Sequence, residues 1–221
     1  MIVSEKYRFI FVHIPKSGGS SCDKALKRSL PLWERSHWLT HKRSKHQSLC
    51  VVQERMRMER PSWRYFWQKP LPNLTDYFTF SFVRNPWDRV VSLYHYLQRT
   101  SSTSEIQSLS SFGEFIAAVE QRQPFIEAMH SFRSQQSLLT NLDGSRIVKF
   151  VGRFETLADD FQTVCRKLNV PCRLPHVNQT RHAHYSDYYD EWSRQVIADR
   201  FAEDIAAFGY QFNEEQGARA A

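Results

Sequence analysis

No stretch of this chain reaches about 18 consecutive apolar residues, so nothing in it has the length of a membrane-spanning helix. The opening MIVSEKYRFIFVHI lacks the long apolar core and small-residue cleavage site of a secretion signal. Cysteine is sparse: Cys22, Cys50, Cys165 and Cys172 allow three pairings. With no export signal the expectation is a cytoplasmic protein with reduced thiols, Cys22 and Cys165 being core fillers at apolar helical positions. No linker-like stretch or internal repeat divides the chain, so its 221 residues predict a single domain over 1–212 and a flexible tail over 213–221. Acidic residues are outnumbered 23 to 30, and the net charge of +7 favours an anionic partner.

Hydrophobic residues make up 41% and aromatics 14%, which excludes a disordered chain and predicts an aromatic-rich core. Phe9 to Ile14 is a continuous apolar run ended by Pro15, the pattern of a buried parallel strand. Cys22, Ala25, Leu26 and Leu30 then recur at helical spacing, with Ser20 or Ser21 as N-cap. Tyr77 to Val83 reads as a second strand. Asn85, Pro86 and Asp88 follow as N-cap, first helical residue and capping-box acid of a helix from about Trp87 to Arg99. Helices are predicted over Phe112–Gln121, Leu157–Leu168 and Glu191–Phe208, the last capped by Gly209, with a short one around Val51–Met58. A third strand is predicted at Ile147–Val151. This alternation predicts an α/β domain with a central, mainly parallel sheet flanked by helices, whose ligand sits at the carboxyl ends of the strands.

Two loops fall on that edge. In HIPKSGGSS, Gly18 and Gly19 let the backbone approach an anion, and the helix start behind them presents N–H groups to it. Lys16 adds a charge and Ser17, Ser20 and Ser21 add hydroxyls; a plain tight turn is the competing reading. In the triphosphate-binding pattern G-x-x-x-x-G-K-[ST] the lysine follows the glycines. Here it precedes them, which argues against a magnesium triphosphate and for a single phosphate-linked group. After the second strand, Arg84 offers a planar fork for phosphate, with Ser92 two helical turns on; the alternative is pairing of Arg84 with Asp88.

Together, FVHIPKSGGSS and FSFVRNPWDRVVSLYHY resemble the two cofactor elements of sulfotransferases that use 3′-phosphoadenosine 5′-phosphosulfate (PAPS), in the carbohydrate (heparan and chondroitin) group with its bacterial relatives. The likeness continues through FVGRFETLADDFQTVCRKLNV, LPHVNQTRHAHYSDYYDE and DIAAFGYQF. It implies a P-loop-like three-layer fold, a 5′-phosphosulfate held by Lys16 and Ser17 to Ser21, and a 3′-phosphate held by Arg84 and Ser92. Arg181 is a further phosphate contact on the same ground. The implied reaction is metal-independent transfer of a sulfuryl group to a hydroxyl, with a carbohydrate acceptor and PAP as product.

That transfer needs a charge to stabilise the departing phosphate, which Lys16 can supply, and a base. KHQSL resembles the family segment carrying the presumed base, so His46 is favoured over His41, and His13, inside a strand, is structural. His176, His182 and His184 form an H-x-H pattern with a third histidine, but a zinc site is not expected because the stretch aligns with the family's cofactor-side loop. Glu155 either orients Arg153 or is structural. The basic stretches 42–45 and 55–60 are either solvated faces or binding surfaces. The acceptor would meet 31–75 and 100–135, where Trp33, Trp38, Arg43, Trp63 and Trp67 suit an anionic sugar or a core edge. Two other readings stay open: a non-enzymatic binder of acidic polysaccharide or nucleic acid, although no nucleic acid is expected, and a nucleotide kinase.

Overall fold

The computed structural model describes residues 1–35, 76–140, 145–175 and 183–213. The expected helix at Val51–Met58 and both basic stretches lie outside them, as does most of the C-terminal tail. Four strands form one sheet in the order β1 (Ile2–Ser4), β2 (Phe9–Val12), β3 (Phe78–Val83), β4 (Phe150–Arg153). β2, β3 and β4 run parallel, with Phe11 opposite Phe80 and Val83 opposite Arg153, and β1 adds an antiparallel edge. The strand expected at Ile147–Val151 is observed as Phe150–Arg153, shifted toward the site. Ahead of it the Thr79 hydroxyl donates to the Ile147 carbonyl at 2.9 Å, and Lys149 N already donates to the Thr79 carbonyl at 2.9 Å.

Parallel strands buried on both faces need continuous apolar runs, and side chains alternate between the faces. Phe9, Phe11, Phe80 and Phe82 pack with Cys22, Ala25 and Leu26 of α1 (Gly19–Ser29). Phe161 and Val164 of α4 (Leu157–Leu168) join them. Ile10, Val12 and Val83 face the other way, onto Leu138, Leu139 and Tyr210. A separate helical cluster gathers α2 (Pro86–Thr100), α3 (Phe112–Glu120) and α5 (Glu191–Arg200) around Val91, Phe115, Ile116 and Ile197. The α/β class with helices on a mainly parallel sheet is therefore the observed one.

Three local expectations are corrected. α1 is capped by Gly18 rather than Ser20 or Ser21, because the left-handed backbone of Gly18 (φ 73°) turns the chain one step earlier and brings both serines into the first turn. Asn85 does cap α2, its side chain accepting from Trp87 N at 3.1 Å, but Asp88 closes no capping box: its carboxylate is taken by Arg84. The helix expected over Glu191–Phe208 is interrupted at Phe201 (φ −118°, ψ 29°), giving α5 and α6 (Ala202–Phe208), with Gly209 as the left-handed cap. Phe201 fills the helical cluster there, and Asp204 of α6 is completely buried.

The reduced-thiol expectation is corrected as well. Cys22 is free and buried, but Cys165 and Cys172 form a disulfide across a Cα separation of 6.2 Å. The left-handed Asn169 (φ 51°) ends α4 and turns the chain back, which brings Cys172 beside the last turn of the helix. No helix of the described residues is long and apolar enough to cross a membrane.

Asp204 accepts from Ser134 Oγ at 2.7 Å, Gln135 N at 2.9 Å and Gln136 N at 2.9 Å, and faces Arg89 Nη1 at 3.7 Å. Its replacement strands three donors and a buried cation. Asp204→Ala is expected to lower stability by about 3–5 kcal/mol, the cost of unpairing a buried charge, as read from denaturant unfolding. Asn at the same position, keeping one acceptor, should cost less.

Candidate functional site

Three loops meet at the carboxyl edge of the sheet. The first runs from His13 to Gly18, and two of its residues, Lys16 (φ 67°) and Gly18 (φ 73°), have left-handed backbone. Lysine at such a φ is disfavoured by roughly 1–3 kcal/mol, the kind of strain found where a side chain must be aimed. Gly18 also permits close packing: a Cβ there would lie 2.6 Å from Leu157 Cδ2. At Gly19 it would lie 2.6 Å from the imidazole of His13, so this buried histidine is the floor under the glycine pair. α1 then begins with no acidic residue in its first turn and no capping side chain, leaving its leading N–H groups and dipole at the loop mouth. Ser20 is exposed and Ser21 half-buried, while Ser17 is turned inward, donating to Gln135 Oε1 at 3.2 Å.

The ammonium of Lys16, from the same loop, stands 4.2 Å from the centre of the half-exposed Tyr96 ring of α2. Partial burial, then the nearby charges of Arg84 and Arg99, lower its pKa to about 8. A lysine placed so is charged at neutral pH yet poorly solvated, which suits it to meet a developing negative charge.

The second loop is Arg84–Asn85. Arg84 donates from Nε and Nη2 to the two oxygens of Asp88 at 2.9 and 2.7 Å, and from Nη1 to the Lys16 carbonyl at 3.1 Å. Its plane lies 4.0 Å from the Phe154 ring. The pairing with Asp88 set against a phosphate role is thus present, and the arginine also joins the second loop to the first. Ser92 lies in the first half of α2, where Pro86 to Leu93 are all buried. The third loop, Phe154–Thr156, brings Glu155, whose carboxylate accepts from Asn85 N at 2.8 Å and Tyr210 Oη at 3.2 Å. Burial raises its pKa.

His41, His46, Arg181, His176 and His182 lie outside the described residues, as do Trp38, Arg43, Trp63 and Trp67. His184 caps the helical turn Tyr185–Tyr188 with Nδ1 2.7 Å from Ser186 Oγ. Among the described residues no cluster of His, Cys, Asp and Glu is arranged for a metal.

Sequence reasoning overlooked the residues behind the loops. Arg89 is fully buried and donates to the carbonyls of Pro15 (3.3 Å), Ser131 (2.6 Å) and Arg133 (3.0 Å). Its signal was slight: a charge directly before Val90 and Val91 of the apolar stripe, in a segment that reads PWDRVVS. Gln135 and Asp204 left no such trace, being 69 positions apart and neighbours only in space.

Comparison with known proteins bears on what these loops do. An uncharacterized protein of the archaeon Archaeoglobus fulgidus is 33% identical over 98 residues, 44% of this chain and 72% of that one. The model of the sulfotransferase family matches residues 1–211, a span containing all three loops and every element of the sheet. A phosphate-type helix start with its lysine ahead of the glycines accords with sulfuryl transfer rather than a triphosphate kinase, and the chain belongs to the sulfotransferase family.

Proposed function

We propose that this sulfotransferase takes its sulfuryl group from PAPS and delivers it to a hydroxyl of a carbohydrate acceptor. The observation that carries the reading is the uncapped start of α1 directly after the Lys16 loop, a loop joined through the Lys16 carbonyl to the arginine loop. A donor with phosphate groups at two separated ends matches two anion loops on one sheet edge better than a single triphosphate does. The absence of an acid from the first turn of α1 also fits an anionic ligand there.

PAPS supplies an activated sulfuryl group and a phosphate leaving group. The chain's own residues do the rest. The backbone N–H groups of Gly19 and Ser20 and the hydroxyls of Ser20 and Ser21 would hold the 5′ end. Lys16 meets the charge that grows on the bridging oxygen as its bond to sulfur breaks. Arg84 and Ser92 are assigned to the 3′-phosphate, Arg84 exchanging part of its Asp88 pairing for the ligand, and Arg181 is an added contact. His46 accepts the acceptor's proton as its oxygen attacks sulfur in line.

Replacing Lys16 by Ala is expected to lower the transfer rate by about 10²–10³, the usual cost of losing one transition-state charge contact. Labelled PAPS and a glycan panel measure this; transfer at the wild-type rate would overturn the role. The pH profile gives a second check. Lys16 carries its charge below its pKa and loses it as pH rises, so kcat/KM should fall through an alkaline limb near pH 8. Bound anionic donor favours the charged form, so the same limb should sit at higher pH in kcat. The acidic limb should vanish in His46→Ala and persist in His41→Ala; the opposite pattern makes His41 the base.

A further inference from the structure

Gln135 is completely buried at the point where β2 and β3 diverge. Its side-chain amide pairs with the backbone of Arg84 in both directions: Oε1 accepts from Arg84 N at 2.9 Å and Nε2 donates to Arg84 O at 2.9 Å. These partners fix the orientation of the amide, since only one flip state matches a donor to an acceptor at both ends. Oε1 also accepts from Ser17 Oγ at 3.2 Å. One planar group therefore contacts both anion loops, acting as a strand neighbour for the residue after β3 and as an anchor for the residue after Lys16. On the other side, Phe154 N donates to Val83 O at 2.7 Å, so β4 continues the ladder where β2 does not.

The amide is itself held in place. The backbone N–H groups of Gln135 and Gln136 both donate to Asp204, and Ser134 Oγ does the same. Asp204 is also opposite Arg89, which holds the Pro15 carbonyl of the first loop. A buried amide bonded through both its oxygen and its nitrogen, on a fixed support, cannot follow the loops if they move apart.

We infer that Gln135 is a positioning residue that sets the spacing between the two anion loops, so that one ligand with two phosphate-type groups is gripped at both ends. This rests on the donor reading above. Binding one phosphate then makes the second contact intramolecular, and that gain depends on the loops standing at the right distance. A ligand with one phosphate has no second contact to gain.

The test compares calorimetric affinities of the full chain for 3′-phosphoadenosine 5′-phosphate, adenosine 5′-phosphate and adenosine 3′-phosphate. The wild type should prefer the bisphosphate by at least about 10² over either monophosphate. Gln135→Leu, similar in volume but without hydrogen bonds, should lose at least about tenfold for the bisphosphate and less than about threefold for each monophosphate. Equal losses for all three ligands, or none, would overturn the inference while leaving the donor reading intact. A wild type with no bisphosphate preference would overturn both. Gln135→Glu serves if the Leu variant does not fold. Its carboxylate has no proton for Arg84 O, and it regains a donor as pH falls. The bisphosphate preference, taken relative to wild type at each pH, should then recover on acidification; a flat ratio counts against the inference.

Discussion

A buried carboxylate holds this site together from behind. Asp204, itself completely buried, gathers the N–H groups that open the helical turn Gln135–Leu138, a hydroxyl and a guanidinium. Burying a charge is costly unless it is paired and hydrogen-bonded, and here each oxygen is engaged. From that point two arms reach the sheet edge. Arg89 carries one to the carbonyl of Pro15, and Gln135 carries the other to Ser17 and Arg84. The break between α5 and α6 belongs to the same arrangement, since Asp204 lies in the first turn beyond it.

The cations along this edge are divided by their partners. Arg84 is committed to Asp88, and Arg89 sits opposite Asp204 among backbone carbonyls. Burial draws Arg89 down to about 10 while Asp204 opposes the shift, so it stays charged at neutral pH. Lys16, half-buried above an aromatic ring, is the cation whose charge responds most readily to its surroundings. The described cations at this edge thus differ in how far the fold commits them. Lys16 has left-handed backbone (φ 67°), as do Arg8, Arg122 and Asn169.

Much of the frame was readable because it depends on local rules. Phe9–Val12 and Phe78–Val83 had to be strands buried on both faces, and a Pro-started helix had to follow Asn85. The errors came where a distant group outcompeted a local preference. Asp88 was expected to cap its own helix but met the guanidinium of Arg84, a stronger charged partner. The third strand lies at Phe150–Arg153 rather than Ile147–Val151, because Ile147 spends its carbonyl on the Thr79 hydroxyl of the neighbouring strand. Cys165 was read as a plain core residue because nothing local says that Asn169 will return Cys172 to it.

The turn between β2 and α1 was legible because glycine between a strand and a helix is constrained by the backbone it must form. The orientation of the side chains there was not. Ser17 reads in the sequence as one hydroxyl among three, and only the fold turns it inward onto Gln135 while Ser20 faces solvent. Sequence alone determined the class of fold and the two loops that meet at one edge of the sheet, since these follow from periodicity and turn chemistry. Tertiary structure decided how each described cation at this edge is partnered and what bridges the two loops. Those depend on contacts between residues up to 118 positions apart, whose energies exist only once the chain has closed around them.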